Sequence, residues 1–239
     1  PIELGFGSGV RTGTVVEVDL AFDDHEAADF ALMLLDANSA DLDSLRGRDA
    51  DGILGLAQPD AQDDGRLSWI LKGLSPAFDS YTISPRLFGR SVLRFDSPEF
   101  DGGADVITYS QPLTQNGRAS IGPTVGVRLI DERSGGEIEG VALLDSGAVT
   151  PVTIDRAFAE QLSPAGDEAD EGGSFSVGVS LVGDAGSPLS VGTWSPADEH
   201  VVDLSHTDYD IILGLDVWRD LPVRVFLNGN GATVTTIGR

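Results

Sequence analysis

Val141-Ala142-Leu143-Leu144-Asp145-Ser146-Gly147-Ala148-Val149-Thr150-Pro151-Val152-Thr153-Ile154 sets an acidic glycine turn between two apolar runs. A carboxylate on such a turn, at the end of a buried strand, is held rigidly and partly desolvated. Such an environment can make a carboxylate a catalytic acid or base. The same three letters, Asp-Ser-Gly, also fit a plain turn in which Asp bonds the backbone and Gly supplies φ > 0. The chain contains no second Asp-Ser-Gly and no Asp-Thr-Gly. What weighs between the two readings is the order of segments along the rest of the chain.

Outward from that turn, the sequence reads as short strands with frequent punctuation. Thr14-Val15-Val16-Glu17-Val18-Asp19-Leu20 alternates at period two, as do Val125–Leu129 and Ser174–Val179. Alternation of this kind, broken by Gly and Pro at short intervals, predicts an all-β chain. Helical stretches are few: Gly65–Gly73, Asp155–Leu162 with Ile154 and Phe158 four apart, and Asp216–Asp220. Pro164–Gly173, rich in Asp, Glu and Gly, reads as a solvated loop, and Ser97–Ala104 as the seam between two lobes. An internal echo supports two related halves: Asp51-Gly52-Ile53-Leu54-Gly55-Leu56 resembles Asp210-Ile211-Ile212-Leu213-Gly214-Leu215.

Composition bounds the function. A length of 239 residues allows one large all-β domain or two lobes, with room for a real core. The net charge is -24, with Lys72 the single lysine against 14 arginines. Such a surface repels phosphate backbones and anionic lipid, so no nucleic acid and no membrane partner is expected. The acidity fits either a face suited to high salt or work at low pH. There are no cysteines, which excludes disulfides, a thiolate nucleophile and Cys-ligated metal. No apolar run is long enough to span a bilayer as a helix. His25 lies in the acidic run Asp23–Glu26 and reads as solvated; His200 and His206 lack the spacing of a zinc pair. Asp60–Gly65 lacks the spaced ligands of a calcium loop. No Gly-x-Ser-x-Gly elbow is present, and Gly7-Ser8-Gly9 is too poor for a phosphate cradle. No cofactor and no metal is expected.

Taken in order, several segments resemble the pepsin-like aspartic peptidases. Phe6-Gly7-Ser8-Gly9-Val10-Arg11-Thr12-Gly13 looks like the flap hairpin of that family, and Asp51–Leu56 like its first apolar-Gly segment. Phe78-Asp79-Ser80-Tyr81 and Leu93-Arg94-Phe95 resemble strands of the sheet that joins the lobes. Asp145-Ser146-Gly147 resembles the second catalytic loop, Ile211–Gly214 the second apolar-Gly segment, and Val225-Phe226 and Ile237-Gly238 the closing strands. The resemblance spans nearly the whole chain.

It implies a bilobal all-β fold with a cleft between lobes, residues 1–105 forming the rest of an N-terminal lobe and 106–239 the C-terminal lobe. It implies Asp145 as a catalytic carboxylate, with Ser146, Gly147 and Ala148 as its supporting loop. It implies Phe6, Gly7, Ser8 and Gly9 as a flap over a peptide or protein substrate. In this family two neighbouring carboxylates share one proton; the ionised one activates a water and the protonated one donates to the scissile carbonyl. Three departures stand out. The segment that would carry the first catalytic Asp is absent from this sequence. Phe6 stands where the flap usually has Tyr, and Ala148 where pepsins usually have Thr or Ser. The expectation is an aspartic endopeptidase completed by an N-terminal polypeptide of the same precursor, processed before Pro1 and carrying the second catalytic Asp. A secreted or extracytoplasmic setting goes with it. The rival is a pepsin-fold binding protein in which catalysis has been lost.

Overall fold

Period-two alternation becomes strand wherever one face can be buried, and these strands dominate the chain. The structure, a computed structural model, describes residues 2–6, 9–22, 25–35, 56, 78, 80–84, 92–95, 106–110, 122–148, 150–162, 176–184, 187–219, 221–228 and 231–237. They fall into two compact units, Pro1–Phe78 and Asp79–Arg239.

The first unit holds an antiparallel sheet of β1 (Ile2–Phe6), β2 (Gly9–Phe22) and β3 (His25–Leu35). Phe6 pairs with Gly9, so β1 and β2 are joined by the two residues Gly7-Ser8, which lie outside the described residues. Between Val18 and Leu20 the register slips. There Asp29 takes φ 53° and its N–H donates to the Asp19 carboxylate at 3.4 Å. Ala27 and Phe30 are buried in this unit. His25, expected to be solvated, is half-buried, with its ring 4.0 Å from that of buried Phe78. The flat imidazole offers an apolar face that its acidic neighbours do not reveal.

The second unit begins with β4 (Ser80–Ser84), β5 (Val92–Phe95) and β6 (Val106–Ser110). Then come β7 (Thr124–Asp131), β8 (Glu137–Asp145), β9 (Val152–Asp155) and helix α1 (Arg156–Leu162). They are followed by β10 (Val177–Val182), β11 (Leu189–Trp194), β12 (Val201–Val202) and β13 (Ile211–Gly214). Helix α2 (Leu215–Trp218), β14 (Val223–Asn228) and β15 (Gly231–Ile237) complete the unit. Seven strands form one sheet in the order β11-β10-β7-β8-β13-β9-β12, and five form another in the order β5-β4-β14-β15-β6. The five-stranded sheet thus draws strands from both sides of the expected cut at 105/106. The expected seam at Ser97–Ala104 lies outside the described residues, as do Gly65–Gly73 and Pro164–Gly173.

The core of the seven-stranded sheet follows the alternation. Val125, Val127 and Leu129 on β7, and Val177, Val179 and Leu181 on β10, are buried at every second position. Asp155, expected inside a helix, instead caps it: Phe158 N–H donates to one carboxylate oxygen at 3.1 Å. Its other oxygen accepts Leu204 N–H at 2.8 Å, tying β9 to the segment after β12. Phe158 and Leu162, one turn apart, face the core. Arg128 on β7 bridges Glu137 and Glu139 on β8 across the partly exposed face.

Candidate active site

Asp145 is the last residue of β8, and the chain turns at Ser146-Gly147. The turn is an Asx turn: Gly147 N–H donates to the Asp145 carboxylate at 2.8 Å, and Ala148 N–H reaches the Asp145 carbonyl at 3.3 Å. Gly147 does not take a positive φ, contrary to the plain-turn reading. A Cβ there would stand 3.2 Å from Asp145 Oδ1, a tight contact that the carboxylate would have to relieve by a small shift. Asp145 and Ala148 are half-buried, while Ser146 and Gly147 are exposed.

The loop is backed by the apolar-Gly segment. β13 inserts between β8 and β9, parallel to the first and antiparallel to the second. Ile211 faces Ala142, Leu213 faces Leu144, and Gly214 sits opposite Asp145. A Cβ on Gly214 would lie 2.2 Å from the Thr150 carbonyl oxygen and 3.0 Å from that of Ala148. Only glycine permits this approach of two backbones. Gly214 N–H donates to Pro151 O at 2.8 Å, so Ala148, Thr150 and Pro151 lie against the end of β13. Beyond it, the buried Trp218 indole N–H of α2 donates to Leu213 O at 3.1 Å.

The other end of β13 is fastened by Asp210. Its N–H donates to Val141 O at 2.8 Å, and its carboxylate accepts Val141 N–H at 2.9 Å, so a side chain continues the ladder. The Asp210 carbonyl also accepts Asp155 N–H at 2.8 Å. Gly140 leaves room for this: a Cβ there would stand 2.6 Å from Asp210 Oδ2 and 2.7 Å from the Phe158 ring.

Parallel register and alternation give this patch two faces. Ala142, Leu144, Ile211 and Leu213 lie on the core side, none more than 3% exposed. Leu143, Asp145 and Ile212 alternate to the other face and stay partly exposed. Tyr209, half-buried and just before β13, lies in the field of Asp145. Burial first, then the negative charges of Asp145 and Asp208, push its phenol pKa up. Thr207 fixes the backbone there, its hydroxyl 2.8 Å from both the Leu204 and Tyr209 carbonyls.

Of the residues expected at the site, Asp145, Ser146, Gly147 and Ala148 form one loop. Phe6 and Gly9 face each other at the tip of the β1–β2 hairpin in the first unit. Gly7, Ser8 and the Phe6 side chain lie outside the described residues. The first apolar-Gly segment, Asp51–Gly55, also lies outside them, as does Asp60–Gly65. Asp210 opens the internal echo and Asp155 the expected helix, but nothing in the sequence marks the hydrogen bonds that their carboxylates make, and Tyr209 carries no motif or period. The one available signal is that Tyr209-Asp210 leads directly into the apolar-Gly segment. Among the described residues no group of three or more His, Asp or Glu side chains is arranged to hold a metal ion. His200 lies 3.7 Å from Glu199, and His206 is exposed. No helix of the described residues is long and apolar enough to cross a membrane.

No protein-family profile matches the chain, and a search of curated proteins finds no match. Solved structures do match. The chain is similar to the aspartic proteinase from Irpex lacteus, with 14% sequence identity and a TM-score of 0.58. The match covers 99% of this chain and 81% of that one. The fold is therefore all-β and of the pepsin-like aspartic proteinase type.

Proposed function

We propose that this chain supplies one catalytic carboxylate, Asp145, to an aspartic endopeptidase. The observation that carries the reading is the Asp145 loop itself. It joins a partly exposed carboxylate at a strand end, a Gly147 N–H donated to it, and Gly214 packed against the loop from behind. A buried structural carboxylate is normally saturated with donors; Asp145 accepts this turn bond and keeps an exposed edge. The second carboxylate comes from an N-terminal polypeptide of the same precursor, because peptide hydrolysis without a covalent intermediate needs a pair. One member, ionised, takes a proton from water as the water attacks the peptide carbon. The other, protonated, donates to the carbonyl oxygen as charge builds there. The two titrate as a coupled pair. Ser146 would hydrogen-bond across to the partner loop, and Phe6, Gly7, Ser8 and Gly9, at the end of the β1–β2 pair, would act as the flap. Peptide or protein substrates and a secreted or extracytoplasmic setting follow from the same reading.

The test uses the complete precursor product. Intact-mass measurement under native conditions should find a second polypeptide travelling with this chain, and the complex should hydrolyse peptides with an optimum below neutral pH. Asp145→Asn should lower that hydrolysis by at least ~10²-fold, the scale of a lost general acid or base. A complex that binds peptides with no hydrolysis at any pH would replace this reading with the pepsin-fold binding protein.

A further inference from the structure

We propose that the face of β2 and β3 carrying Val16, Leu32 and Leu34 is the docking surface for the N-terminal polypeptide, which lays apolar side chains of its own across it. The inference rests on the aspartic-peptidase reading, which supplies that polypeptide. Phe30-Ala31-Leu32-Met33-Leu34-Leu35 is an apolar run without a break. A strand covered on one face alternates, whereas an unbroken apolar run belongs to a strand covered on both. The neighbouring β2 does alternate, with Glu17 and Asp19 exposed. The structure closes one face of β3. Met33 reaches over buried Gly13: a Cβ on that glycine would stand 2.8 Å from Met33 Cε. The other face opens along the strand. Phe30 is buried, Leu32 is half-buried, and Leu34 is 55% exposed, more than any other large apolar residue described. Register sets Val18, Val16 and Thr14 opposite these three; Val16 is half-buried and Thr14 exposed, so β2 opens in step. Apolar surface that runs outward from a buried patch in this way marks an interaction site. Two observations choose its occupant. A second copy of this chain would set one net charge of -24 against another. And the match to the solved aspartic proteinase covers 81% of that chain, so part of that fold has no counterpart here. The polypeptide that brings the partner carboxylate is the piece that completes it, and it covers the face that β3 leaves open.

The test is native mass spectrometry of the complete precursor product through a dilution series, in wild type, Leu34→Lys and Leu34→Ala. Leu34 is already more than half exposed in this chain, so both variants should keep the wild-type circular dichroism. Losing a leucine from the interface should raise the Kd for the N-terminal polypeptide about tenfold or more in Leu34→Lys and about threefold or more in Leu34→Ala. Ile130→Lys on β7 removes another exposed apolar side chain and should leave that Kd unchanged. An unchanged Kd in both Leu34 variants overturns the docking face, and the peptidase reading stands if the complex hydrolyses peptides. A Kd raised equally by Ile130→Lys overturns it too, because the loss would then be a general effect of surface charge. A mass of two copies of this chain with no second polypeptide replaces the proposal with self-association. A monomer with no second polypeptide sinks both this proposal and the reading on which it rests.

Discussion

Asp131 and Asp145 end adjacent strands, β7 and β8, and each is followed by a turn that contains a serine and a glycine. Asp131 is 1% exposed. Its carboxylate accepts the Arg133 N–H at 3.0 Å and the Ser134 hydroxyl at 2.5 Å. Burial pushes its pKa up, but the Ser134 hydroxyl, the Arg133 and Ser134 amides and the Arg133 charge outweigh burial, and the group stays below the usual carboxylate range. Asp145 has the Gly147 amide and an exposed edge. The difference separates two uses of one residue type. A carboxylate whose lone pairs are already filled closes a hairpin; one left open is available to a ligand.

The largest effect expected falls on the support of the open carboxylate. In Gly214→Ala the new methyl would meet the Thr150 carbonyl at 2.2 Å, a backbone atom that cannot step aside cheaply. Unfolding in urea should show a loss of about 3 kcal/mol, in the upper range for overpacking. A stability equal to wild type would mean that the loop does not rest on β13 as described.

Next in size is the filled carboxylate. Asp131→Asn should cost about 1–2 kcal/mol at neutral pH, the value of weakened hydrogen bonds to a charged group. The sign with pH follows from its lowered folded-state pKa. As pH falls below about 4, the unfolded state takes up this proton first. The contribution of Asp131 is therefore complete above that pH and fades as pH drops through the folded value. Stability curves of wild type and Asp131→Asn should converge in acid; parallel curves down to pH 2 would contradict the assignment.

The smallest effect is the converse of the first test of function. Asp145→Asn retains an acceptor for Gly147 N–H and stays partly exposed, so its stability should lie within about 0.5 kcal/mol of wild type. A large loss of stability there would make Asp145 a second Asp131 and remove the contrast.

Much of this was legible in the chain. The alternation over Thr14–Leu20 and Val125–Leu129 lies inside β2 and β7. The apolar-Gly segment Ile211–Gly214 is β13, and Asp145 closes β8. These were readable because period and residue type act locally. The strand expected over Ser174–Val179 is described from Val177 to Val182, and β12 gave no signal because it is two residues long. Harder to read was that β13 lies between β8 and β9, since alternation shows a face and never a neighbour. Gly140 looked like any strand glycine until Asp210 and Phe158 arrived against it from far along the chain.

The insertion of β13 also bears on the order of events during synthesis. The bond between Val141 and Asp210 spans 69 residues, and the pairing it begins is parallel. Closing so long a loop costs chain entropy before any contact repays it, which makes such pairings late and slow. While the ribosome is still making residues 146–210, β8 and β9 have no strand to fill the space between them. Asp145 can be present in the nascent chain throughout that interval without being held in its loop. Its place becomes fixed only when Ile211–Gly214 has emerged and threaded between its neighbours, so the geometry at Asp145 is timed by a segment that contributes no reactive group of its own.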